Sequence, residues 1–197
     1  MLDGLTRPEL TMRDYQQSHL DPRSPLVLDT RDLPRSPGAM RVVERVLAAP
    51  EDLSLELIRV PAGADLALTL RMESVSEGVL VSARARAELT GECGRCLREI
   101  DDTLDVEFQE LYAYADTTTD ETTDEDEVGR LQGDLIDLEP DLRDAVVLAL
   151  PSHPLCREDC PGLCPECGAH WDVLPADHSH RQVDARWAAL DQFKRTD

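Results

Sequence analysis

"LALTLRMESVSEGVLVSARARAEL", Leu66 to Leu89, is the stretch on which the fold turns. Leu66, Leu68, Leu70 and Met72 alternate with Ala, Thr and Arg, which places the larger apolar side chains on one face of an extended chain. After "ESVSEG" (73–78), Val79, Val81, Ala83, Ala85, Ala87 and Leu89 repeat the pattern. Two period-two runs joined by a short polar link predict an antiparallel hairpin. "CGRC" (93–96) then interrupts, and Ile100, Leu104, Val106 and Phe108 resume the alternation. The first cysteine pair therefore falls at a bend between two strands.

Upstream, "VLDTRDL" (27–33) and "MRVVERVLA" (40–48) read as short β runs separated by Pro34, Ser36, Pro37 and Gly38. In "DLSLELIRV" (52–60), Leu53, Leu55 and Leu57 alternate with polar residues, predicting a half-buried strand. Beyond the strands the period changes. In "DLIDLEPDLRDAVVLALP" (134–151), Leu138, Leu142, Ala145, Val146 and Ala149 share a helical face. Glu139, Asp141 and Pro140 suit the start of that helix and Pro151 ends it. The expected fold is α+β: mainly an antiparallel β-sheet or meander over about 26–114, a helix at 139–150 packed on it, few other helices, and a C-terminal Cys-rich zinc-knuckle segment. A flexible arm (1–25) carries Pro8, Pro22 and Pro25; the main domain is expected over 26–170 and a tail over 171–197, with a short helix in "DARWAALDQF" (184–193) bearing Trp187 and Leu190. Residues 116–127 hold 7 acids and no base, a composition unable to bury apolar area, and read as a solvated loop.

Acidic residues number 41 against 20 basic ones, a formal charge of −21. That excess disfavours a broad electrostatic grip on nucleic acid and suits a basic partner. The N-terminus shows no basic region followed by an apolar stretch, and no apolar run is long enough to cross a bilayer. The expected location is the cytoplasm, where clustered cysteines serve as metal ligands or catalytic thiols more often than as disulfides.

Four of the six cysteines crowd into "CREDCPGLCPECG" (156–168). Cys93/Cys96 and Cys164/Cys167 are C-x2-C knuckles, in which a tight turn aims both sulfurs at one ion, and two knuckles complete a tetrahedral shell. Cys93, Cys96, Cys164 and Cys167 are thus the expected ligands, with Cys156 and Cys160 as alternatives. Three arrangements compete: the two knuckles together; Cys93/Cys96 with Cys156/Cys160; or the four C-terminal thiols alone. His153, His170, His178 and His180 could substitute. The expected cofactor is a structural Zn2+, because a closed four-thiolate shell leaves no position for substrate. Neither pair sits at a strand-to-helix junction of a βαβ unit, which disfavours a thioredoxin-like redox role, and the spacings match no ferredoxin run. Nucleophile-elbow and phosphate-loop patterns are missing too, so no catalytic residues are assigned and no enzyme is expected.

"LTGECGRCLREI" (89–100), "LIDLEPDLRDAVVLALP" (135–151) and "LCREDCPGLCPECG" (155–168), in this order, resemble the YceD-like family in its actinobacterial form. The resemblance covers residues from about 27 to the end. It implies a part in accumulation and processing of the large-subunit (23S) ribosomal RNA. Family members lacking the second knuckle, or all the cysteines, imply that the metal is a brace. Together with the charge, this points to a ribosome-biogenesis factor whose partner is a basic large-subunit ribosomal protein, the 23S precursor, or both. Arg84, Arg86, Arg95 and Arg98 offer a local RNA contact unless neighbouring acids such as Glu88, Glu92 and Glu99 neutralise them. A metal-dependent or thiol enzyme of RNA processing, or an acidic zinc-binding scaffold for another basic protein, are the other readings.

Overall fold

The longest alternating runs form the longest strands. In the computed structural model, which describes residues 20–115, 117 and 129–180, β4 (Asp65–Ser74) and β5 (Gly78–Glu92) make the expected hairpin, with Leu66 opposite Ala87 and Ser74 opposite Val79. β6 (Glu99–Ala113) lies antiparallel along the whole other edge of β5. β2 (Met40–Ala48) flanks β4, and the short β3 (Ile58–Arg59) extends the β4 side beyond the end of that strand by pairing with Thr90 and Gly91.

One face of this sheet is the core. Leu66, Leu68, Leu70, Met72, Val79, Val81 and the Ala83–Ala85–Ala87 row are buried, while intervening residues of β4 face water. This one-sided alternation is the signature of an antiparallel sheet covered on a single face. The cover has two parts. A ribbon of β1 (Val27–Asp29) and β7 (Leu135–Asp137) contributes Leu28 and Ile136, and the helix α1 (Glu139–Ala149) contributes Leu142 and Val146, all in the same hydrophobic cluster as the sheet. Glu139 and Asp141 sit in the first turn, where acids favour the helix dipole, and Pro140 occupies a position with no N–H obligation.

Two segments differ from their sequence reading. "VLDTRDL" supplies only the three residues of β1, paired with β7, a strand hidden in what reads as the approach to the helix. "DLSLELIRV" is not one strand: the chain reverses at Glu56–Leu57, with the Leu55 N–H donating to the Ile58 carbonyl (2.8 Å) and the Val60 N–H to the Leu53 carbonyl (3.0 Å). A period of two describes both a single strand and two short arms folded together, so alternation alone does not separate them. The 184–193 helix, residues 1–19 of the arm and all of the 116–127 loop but residue 117 fall outside the described residues. Among the described residues no helix is long and apolar enough to cross a membrane.

A partly buried polar contact ties α1 to the sheet: the Tyr112 hydroxyl of β6 donates to the Asp141 carboxylate. Burial, then the acceptor carboxylate, hold the Tyr112 pKa far above the ordinary phenol value, so it remains a donor throughout the useful pH range. Tyr112→Phe keeps the ring and removes the bond. It should cost about 1–2 kcal/mol, read as a fall of about 2–8 °C in melting temperature; an unchanged melting temperature would show that the bond contributes nothing net.

Candidate metal centre

Each C-x2-C pair forms the tip of a β-hairpin, and the two tips repeat one backbone design. At the end of β5–β6, the Leu97 N–H donates to the Cys93 carbonyl (2.9 Å) and the Cys93 N–H to the Arg98 carbonyl (2.8 Å). In the C-terminal segment, the Gly168 N–H donates to the Cys164 carbonyl (2.8 Å) and the Cys164 N–H to the Ala169 carbonyl (2.8 Å), above an antiparallel bridge between Leu163 and His170. The fourth residue after the first cysteine must be left-handed in both: Leu97 at φ 60° and Gly168 at φ 71°. Glycine takes this conformation without steric cost; leucine does not.

The tips point at different partners. Cys93 and Cys96 converge with Cys156 and Cys160, and Cys164 and Cys167 converge with His178 and His180; within each group the ligand atoms lie within 4.8 Å of one another. In the first group Sγ of Cys93 is 3.8 Å from that of Cys160, and Sγ of Cys96 is 3.6 Å from that of Cys156. A disulfide would need about 2.05 Å. Tetrahedral zinc with bonds of about 2.3 Å to sulfur gives an edge of about 3.8 Å. The spacing therefore fits four ligands around an ion and excludes cystines.

Local contacts hold the first group together. The Gly94 N–H donates to the Pro154 carbonyl (2.9 Å), and Arg95 Nη1 to the Cys160 carbonyl (3.0 Å). Gly162, at φ 77°, passes so near that an added Cβ would stand 3.0 Å from the Arg95 carbonyl oxygen. Asp172, in a single 3-10 turn (Trp171–Val173), accepts from Arg98 (2.9 Å) and Arg157 (2.6 Å), and these guanidiniums, Arg157 foremost, hold its pKa below the usual carboxylate range. Cys93, Cys96 and Cys160 are buried in a small cluster of their own with Ile100, Leu155 and Leu163, apart from the main core.

The thiols are electrostatically unequal. Burial raises the Cys93 pKa, but N–H groups of Cys156, Arg95 and Cys96 outweigh it and bring the thiol down to about 6. Cys156, its sulfur facing the cluster, is pushed up to about 12 by desolvation and by Cys160, Cys96 and Cys93. Four sulfurs this close cannot all ionise against one another; a cation among them removes the conflict. In the second group, N–H groups of Cys167 and Glu166 lower Cys164 to about 6, Cys167 first, with burial opposing and His178 assisting.

The structure thus brings Cys93 and Cys96 together with Cys156 and Cys160, the second of the three arrangements weighed from sequence, and leaves Cys164 and Cys167 outside that group. His178 and His180 join the C-terminal knuckle. His153 stands in neither group, its Nδ1 3.1 Å from Ser152 Oγ, and neither does His170, whose buried Nδ1 has no hydrogen-bond partner. The four arginines are occupied, though not by the acids adjacent in sequence, and only Arg95 and Arg98 stand at the tip, Arg84 and Arg86 lying midway along β5. Arg84 grips Asp105 through two bonds of 2.6 Å, Arg86 reaches the same carboxylate at 3.0 Å, Arg98 takes Asp172 and Arg95 a carbonyl. Cross-strand register, which sets Arg86 opposite Asp105 and Arg84 opposite Glu107, decides the first two pairings, and the approach of the C-terminal segment decides those of Arg95 and Arg98.

Comparison with known proteins agrees with the motifs. The family described as "Large ribosomal RNA subunit accumulation protein YceD" matches residues 81–194, which include both hairpin tips, α1 and all six cysteines. An uncharacterized protein of Mycobacterium tuberculosis (strain H37Rv) is 50% identical over 167 residues, 85% of this chain and 80% of that protein. An uncharacterized protein of Mycobacterium leprae is 41% identical over 191 residues, 95% of this chain and 87% of the relative. A more distant relative, the uncharacterized protein YlbN of Bacillus subtilis, is 26% identical over 141 residues, 71% of this chain and 76% of its own. No solved structure matches the chain.

Proposed function

Because the chain belongs to the YceD family, we propose that it supports accumulation and processing of 23S ribosomal RNA as a non-enzymatic assembly factor, and does so by holding a basic large-subunit ribosomal protein. Family membership is the observation that carries this reading. Electrostatics supports the choice of partner: the chain carries −21, and the arginines best placed to touch RNA are already paired with carboxylates or a carbonyl. Exposed acids would stand in for RNA phosphates until the basic protein is delivered to its site. Opposite charges of this kind accelerate encounter and weaken as salt is added.

The group of Cys93, Cys96, Cys156 and Cys160 serves in this reading as a zinc brace. Four thiolates select a soft or borderline ion, and a filled shell offers no position for a substrate. Its task is to hold the Cys156–Cys160 segment against the β5–β6 tip.

Depleting the protein should lower mature 23S RNA and the large-subunit peak, while the small-subunit RNA stays near normal. Unchanged 23S levels and subunit profiles would remove the proposal. Cleavage of precursor RNA by the purified protein, dependent on metal, would replace it with an enzymatic reading.

A further inference from the structure

We propose that the protein holds two metal ions, and that Cys164, Cys167, His178 and His180 form a second, separate site of the zinc class. Its knuckle has the same backbone hydrogen bonds as the first, so the turn that aims two sulfurs at one point occurs twice in the chain. The opposite half of the shell arrives by a local route. A turn closed by the His178 N–H on the Pro175 carbonyl (2.9 Å) brings the chain back over the knuckle. There His180 Nε2 lies 3.2 Å from Cys164 Sγ, and His178 Nε2 3.7 Å from Cys167 Sγ. With zinc bonds of about 2.3 Å to sulfur and about 2.05 Å to nitrogen, a sulfur–nitrogen edge of a tetrahedron is about 3.6 Å.

The imidazoles are also oriented. Trp171 packs edge-on against His178 at 5.5 Å, and the two histidine rings stand nearly perpendicular, at 86° with centroids 4.5 Å apart. Crossed rings let both Nε2 atoms approach one point without stacking. Hydrogen bonding is a weak alternative explanation, because thiols are poor partners and gain little from a cluster of four. Two thiolates and two imidazoles suit zinc, and disfavour magnesium or calcium, which require oxygen.

The two sites share no ligand, so each loads by itself. They differ in exposure: three of the four cysteines in the first are buried, whereas Cys167 and His180 of the second are open to solvent. A chelator should therefore strip the second site first.

The test uses the full chain. Metal analysis should find two zinc ions per molecule. Substitution by cobalt(II) should give two overlapping visible spectra, one of sulfur-only and one of mixed sulfur–nitrogen coordination. Replacing both histidines (His178→Ala with His180→Ala) should halve the metal and leave the sulfur-only spectrum, with far-ultraviolet circular dichroism of the sheet unchanged. A single ion in the native chain, or two ions retained by the histidine variant, overturns the proposal. Should that variant fail to fold, the native stoichiometry and cobalt spectrum decide alone: one equivalent with sulfur-only coordination refutes the second site.

Discussion

Cys93→Ser combined with Cys96→Ser should release the ion proposed for the four-thiol group and set the Cys156–Cys160 segment loose from the β5–β6 tip, while the sheet stays folded. Structural zinc supplies about 10–16 kcal/mol of apparent binding energy in small peptides, so a zinc ion held there would be the strongest single fastening in its neighbourhood. What remains without it is a small apolar cluster of Ile100, Leu155 and Leu163, a backbone bond from Gly94, a side-chain bond from Arg95, and the Arg98–Asp172 and Arg157–Asp172 pairs at the surface, which count for little in water. The main core lies in a separate cluster that includes no cysteine. Trypsin should then cut rapidly after Arg157, and circular dichroism should keep its β signal. Cys164→Ser with Cys167→Ser should leave the four-thiol centre loaded. Loss of that ion from the second variant would mean that the knuckles share one shell after all.

Leu142→Ala should be strongly destabilising. The side chain of Leu142 is fully buried in α1, between the helix and the sheet, and its removal leaves a cavity that rigid strands cannot close. Such truncations cost about 2–5 kcal/mol. For a chain of this size, about 3 kcal/mol lowers the melting temperature by roughly 6–12 °C. Leu148→Ala, on the same helix but 84% exposed, is the control and should change stability by less than about 0.5 kcal/mol. Equal effects at both positions would place α1 somewhere other than over the sheet.

The sheet was legible where alternation is long. β4, β5 and β6 each run for ten residues or more, and over that span a helix cannot imitate a period of two. β1 and β7 have three residues each, too few to show any period, and exist because they pair with one another across most of the chain. The six cysteines were legible as ligands, but not their grouping. Spacing reveals that Cys93 and Cys96 make a knuckle, and it says nothing of where its sulfurs point. That depends on Gly162 meeting Arg95 and on the turn at Pro175, neither of which has a sequence signature. His178 and His180 stood among four histidines able to substitute as ligands, and "HSH" falling shortly after "CPECG" is what sets them apart from His153 and His170, since ligands that close a local loop cost little chain entropy.

The first centre joins residues far apart in the chain: 60 positions separate Cys96 from Cys156. Synthesis runs from the N-terminus at about 5–20 residues per second, so roughly 3–12 s pass between the emergence of one half of this site and the other. During that interval the β5–β6 tip carries two thiols and no partners, open to oxidation or to capture by the wrong ion. The later group spans only 16 positions from Cys164 to His180 and closes almost as soon as it is made. A newborn chain thus completes its local site within moments of its distant one, and translation speed through residues 97–155 sets how long the earlier thiols must wait.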